Sequence, residues 1–152
     1  MKFNIHVVAI LLLLLFACKK ETLDAPPSTA MFNIDLNEYP KLYGMENYLL
    51  CPDALYSKQG IWGRAGIIVY YSAVAGYVAY DRCCRYSECE NRNEKVIPDG
   101  MGFAQCPSCS SRYNLSIGDG QVATGPANKS LWVYPGLAKR GSILSLSYSP
   151  SR

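Results

Sequence analysis

Four cysteines, Cys84, Cys89, Cys106 and Cys109, stand at the spacing C-x4-C-x16-C-x2-C. Two thiol pairs on two loops are a pattern that holds a zinc ion or an iron–sulfur centre, because thiolates are soft donors and a pair from each loop completes a tetrahedral set. The chain's one histidine, His6, falls in an N-terminal apolar segment. If that segment is removed, no imidazole remains as ligand, base or proton shuttle, and any metal chemistry rests on sulfur. Disulfides are an equally open use of these thiols, and the six cysteines other than Cys18 permit fifteen pairings.

The other cysteines read differently. Cys83 adjoins Cys84, and neighbouring cysteines seldom both serve one tetrahedral zinc, so it is expected to be a spare or disulfide-forming thiol. Cys51 stands alone and is expected to be a partner for a loop cysteine or a small buried hydrophobe. No nucleophile elbow, P-loop or histidine triad is present, and Asp24, Asp35, Glu38 and Asp53 show no pairing suited to acid/base work, so no enzyme is expected. Fifteen Lys and Arg against twelve Asp and Glu give a net charge of +3. That balance is no footprint for nucleic acid, which needs basic residues clustered on one face.

At the N-terminus Lys2 precedes an unbroken apolar run from Val7 to Phe16, followed by Ala17 and Cys18. The run is too short to cross a bilayer of about 30 Å as a stable anchor. Leu15-Phe16-Ala17-Cys18 resembles a bacterial lipoprotein signal. The resemblance implies a signal peptide over residues 1–17, a lipid on Cys18, and a membrane-anchored protein of the cell envelope. Residues 18–31, with Lys19-Lys20-Glu21 and Ala25-Pro26-Pro27-Ser28, then read as a tether too polar and stiff to pack a core. Residues 32–152 suit one domain.

The elements that must position the thiols are short and β-like. Phe32–Leu36 alternates apolar and polar, and Gly66–Tyr71 and Gly76–Tyr80 are rich in β-branched and aromatic residues around a turn at Ser72–Ala75, which predicts a hairpin. Arg112–Leu115 and Gln121–Ala123 flank a Gly118-Asp119-Gly120 turn, while Leu131–Tyr134 and Ile143–Tyr148 close the chain around Pro135-Gly136. Asn37 to Trp62, broken by prolines and glycines, reads as a long irregular connection with a helical turn near Asp53–Ser57. The twelve tyrosines are expected on strand faces. Outside the signal no segment keeps a helical period, so the fold class is all-β, a small sandwich or barrel.

Read in order, Tyr80-Asp81-Arg82-Cys83-Cys84, Gln105-Cys106-Pro107-Ser108-Cys109-Ser110-Ser111-Arg112-Tyr113-Asn114-Leu115, Asp119-Gly120-Gln121-Val122 and Gly125-Pro126-Ala127 resemble a Rieske domain. In that family one loop carries C-x-H and a second C-x-x-H; the second runs into a Gly-Ser-x-Tyr/Phe-Asp/Asn strand, a Gly-containing turn and a Gly-Pro-Ala step. The resemblance implies a Rieske-like β-fold with a cysteine-bearing loop pair, a 2Fe-2S cluster and electron transfer. Cys84 and Cys106 fall on the two cysteine-ligand positions, and Tyr86 and Cys109 on the two histidine positions. With both imidazoles gone, the high potential they confer loses its basis. Tyrosinate at Tyr86 is a costly substitute, since a phenol titrates near pH ~10. Cys89 stands where some members carry a loop-one cysteine bridged to loop two, at a partner position that is Ser108 here, with Cys109 beside it. Arg85 replaces the family's proline and either lowers nearby thiol pKa values or faces solvent.

Two functions follow. One is a lipid-anchored electron-transfer protein with an iron–sulfur centre; the other is a non-redox envelope module, its loops held by zinc or disulfides and its loop tips binding a partner protein.

Overall fold

The computed structural model describes residues 24–43, 48–52 and 60–151. The expected signal peptide, Cys18, tether residues 18–23 and the expected helical turn at Asp53–Ser57 lie outside the described residues.

The described residues form three antiparallel four-stranded sheets. The first has the order β11-β12-β1-β3, built from Ala138–Arg140, Ile143–Tyr148, Ala30–Asp35 and Ile61–Trp62. The second has the order β10-β5-β4-β2, built from Val133–Tyr134, Gly76–Asp81, Ile67–Ser72 and Tyr48–Cys51. The third has the order β6-β7-β8-β9, built from Ile97–Pro98, Phe103–Gln105, Arg112–Asn114 and Val122–Thr124. Two 3-10 turns, Leu36–Glu38 and Pro40–Tyr43, follow β1. The all-β expectation holds, as sheets packed face to face. The one described α-helix, α1, spans Ser87–Asn91.

The second sheet is the wall between two cores, because successive side chains of a strand point to opposite faces. Ile67 and Val69 of β4, Ala79 of β5, Leu49 and Cys51 of β2 and Tyr134 of β10 pack with Phe32, Ile34, Leu144 and Leu146 of the first sheet. Ile68, Tyr70, Val78 and Tyr80 face the other way and pack with Ala104 and Tyr113 of the third sheet, with Leu115 just beyond β8, and with Cys84, Cys89 and Cys106. The cysteine loops therefore close the end of the second core.

Three expectations are corrected. The stretch from Asn37 to Trp62 contains 3-10 turns, β2 and β3; β2 is apolar on both faces because each face has its own core, so its alternation is invisible in the sequence. Leu131–Tyr134 and Ile143–Tyr148 do not form one hairpin: β10 pairs with β5, β12 pairs with β1 and β11, and Pro135-Gly136 leads into the unforeseen β11. The end of the expected tether packs onto the domain, with Pro26 buried and its carbonyl accepting from Tyr148 Oη at 2.9 Å, and Thr29 O accepting from Gly63 N at 3.2 Å.

Candidate metal centre

The first loop leaves β5 at Asp81, whose side chain is wholly buried and accepts four hydrogen bonds. Arg64 N and Tyr134 Oη donate to Oδ2, both at 2.7 Å, and Cys83 N and Ala65 N donate to Oδ1 at 2.9 and 3.3 Å. A buried carboxylate is tolerable when its lone pairs are this well satisfied, and here it ties the loop start to β10 and to the β3–β4 turn. The loop closes on itself through a bridge between Cys83 and Lys95, with Cys84 N donating to Glu94 O and Glu94 N to Cys89 O. Between those points the chain makes α1, entered at Tyr86, with Glu88 and Glu90 in its first turn where the helix dipole favours negative charge. The helix turns Cys89 inward.

The second loop joins β7 to β8. Cys106 N donates to Ser111 O and Ser110 N to Cys106 O, each at 2.9 Å, which folds Cys109 back toward Cys106. Ser110 takes φ +61°, a left-handed conformation that favours glycine. Gly125 of the Gly-Pro-Ala step lies so close that an added Cβ would sit 2.5 Å from Ser111 Cα. That approach lets Ala127 N donate to Ser111 Oγ at 2.9 Å, and Ser111 Oγ lies 3.2 Å from Cys109 Sγ.

The two loops bring the sulfurs of Cys84, Cys89, Cys106 and Cys109 within 4.8 Å of one another. Cys84 and Cys109 are 3.6 Å apart, Cys89 and Cys106 3.9 Å. Tetrahedral bonds of about 2.3 Å to one zinc ion place sulfurs about 3.8 Å apart, so this donor set fits a single ion with little movement. A disulfide needs about 2.05 Å, and no described cysteine pair forms one. Cys84, Cys89 and Cys106 are buried and Cys109 is partly exposed.

Burial drives the thiol chemistry. It pushes Cys84 far above its ordinary pKa, beyond what hydrogen bonds from Tyr113 and the Tyr86 backbone offset, and pushes Cys89 to about 12. Burial acts upward on Cys109 too, but hydrogen bonding with Ser111, Cys84 and Cys89 outweighs it and brings this thiol to about 7. Metal binding at this group would expel the protons held by Cys84 and Cys89.

All four predicted ligands come together. Tyr86 precedes α1 and its ring packs against the second core, outside the group of four sulfurs, to which Cys89 of the helix belongs. Cys83 is buried outside the group, its thiol pushed up to about 12 chiefly by burial. Cys51 belongs to the other core, away from the loop cysteines, which answers to the buried-hydrophobe expectation. Arg85 does not face solvent; it is only 2% exposed and stacks 3.7 Å over Trp132. Nothing in the sequence singles out Asp81, Tyr113 or Ser111 individually. Tyr113 Oη accepts from Arg85 N at 2.9 Å and lies 3.3 Å from Cys84 Sγ, a placement that only the fold reveals. Compared with protein-family models, curated proteins and solved structures, the chain matches none.

Proposed function

We propose that this chain is a lipid-anchored, Rieske-like β-protein of the bacterial cell envelope, in which one zinc ion on Cys84, Cys89, Cys106 and Cys109 pins two loops that dock an envelope partner, rather than an electron carrier. The observation that carries the metal reading is the packing of four sulfurs within 4.8 Å. A 2Fe-2S cluster divides its four ligands between two irons, which sets the two pairs farther apart than the ligands of a single ion. Protein thiols fill all four tetrahedral positions, leaving none for water or substrate, which is the closed form of structural zinc. Bound zinc supplies a cross-link between the loops and folding free energy. The ordered motifs from Tyr80 to Ala127 support the Rieske-like reading, and Leu15-Phe16-Ala17-Cys18 supports the anchor.

Elemental analysis of the purified full chain, with a visible spectrum and a thiol count, tests this. The expected result is a single zinc, no visible absorption, and four thiols protected from alkylation until a chelator is added. Cys89→Ser should lose the zinc and Cys83→Ser should keep it. Iron with inorganic sulfide and visible absorption would establish the cluster instead, and a metal-free chain with no reactive thiols would establish disulfides.

A further inference from the structure

The least expected side chain near the centre is a buried cation. Arg85 follows the ligand Cys84, and Glu90 follows the ligand Cys89. Arg85 Nε donates to Glu90 Oε2 at 3.2 Å, so an ion pair closes the four-residue loop between the two ligands from outside. The Arg85 backbone N–H is fixed on Tyr113 Oη, and its Nη1 donates to Ser130 O at 3.3 Å. Trp132 covers the guanidinium, a contact that rewards a desolvated cation. The remaining nitrogen, Nη2, reaches Asp24 Oδ2 at 3.0 Å, across 61 residues of sequence. Asp24 is half exposed, and it lies just before Pro26 and Thr29, which bond to Tyr148 of β12 and to Gly63 beside β3.

We infer that Arg85 is a positioning residue that couples the metal centre to the N-terminal segment. Zinc on Cys84 and Cys89 fixes the loop that holds the guanidinium, and the fixed guanidinium docks Asp24. Coupling between sites is reciprocal, so docking of residues 24–29 tightens zinc binding by the factor with which zinc tightens docking. The inference rests on the zinc reading given above.

The experiment uses the full chain loaded with zinc alone. Zinc affinity is read by competition with a chromogenic chelator, and order in the segment by hydrogen exchange of peptides covering residues 24–30. Asp24 is half exposed, so its variants should keep the fold, checked by matching circular dichroism. Asp24→Lys should raise exchange in those peptides and weaken zinc binding about fivefold, the low end of typical coupling. Asp24→Glu should restore both toward wild type. Faster exchange with unchanged affinity would overturn the coupling, as would unchanged exchange. A wild-type chain that binds no zinc would overturn the metal centre and the coupling together, whereas one that binds zinc with indifference to Asp24 would overturn the coupling alone.

Discussion

Replacing Asp81 by alanine should be among the most damaging single changes outside the cysteines. The carboxylate receives Arg64 N, Ala65 N, Cys83 N and Tyr134 Oη between 2.7 and 3.3 Å, in a site with no solvent access to the side chain. A buried donor left without an acceptor costs about 1–3 kcal/mol. Water can reach some of the freed donors, and the variant no longer buries a charge, so the expected loss is about 3–6 kcal/mol, against about 5–15 kcal/mol for a whole domain. Tyr134→Phe removes one of the four donors and should cost about 1 kcal/mol. Burial and the adjacent Asp81 hold the Tyr134 phenol well above its ordinary pKa, so it stays a donor across the working pH range. Urea unfolding of the zinc-loaded protein gives both numbers, read as a shift in midpoint at constant slope. In the double variant the loss should be smaller than the two single losses combined, since the phenol has lost its acceptor. An Asp81→Ala protein no less stable than Tyr134→Phe would refute the view that this carboxylate anchors the first loop.

Two further outcomes follow from the second loop and its strands. Ser110→Gly keeps the Ser110 N–H bond to Cys106 O while relieving φ +61°, so it should stabilise the chain by about 0.5–1 kcal/mol, after the entropic cost of glycine, and raise the melting temperature; a fall would show that the turn is unstrained. Asp99 feels an upward push from burial, but Arg112 Nη2 at 2.6 Å and the backbone N–H groups of Met101 and Phe103 outweigh it and hold its carboxyl below the ordinary range. A depressed carboxyl contributes stability above its unfolded pKa of about 4 and loses it as pH falls through the lower folded value. Asp99→Asn should therefore cost at most about 1 kcal/mol near neutral pH, allowing for solvent screening, and the gap should close in acid. A gap that widens as pH falls would reverse the assignment.

The site was legible because its information is local. The C-x4-C and C-x2-C pairs name the four cysteines whose sulfurs converge, and β-branched runs with the Ser72–Ala75 turn name the central hairpin, which the fold realises as β4 and β5 in register from Ile67–Asp81 to Ser72–Gly76. What stayed hidden depends on partners far along the chain. The acceptor role of Asp81 needs Tyr134, 53 residues away, and the burial of Arg85 needs Asp24, Ser130 and Trp132. Neither position differs in composition from a surface charge. The burial of Cys89 turns on a five-residue helix, too short to leave a periodic trace.

The double-faced central sheet divides the molecule's resistance to opening. The first sheet and its core contain none of the four ligand cysteines, while the third sheet and its core are closed by all of them. If the four sulfurs hold an ion as proposed, withdrawing it would weaken one side of a shared wall and leave the packing on the other side intact. The chain then has two cooperative units of unequal stability, and the lesser one opens first without exposing the greater. A chain made ahead of its metal would then wait half-assembled, with β1, β12 and the inward side of β4 and β5 already protected, and complete itself when the ion arrives.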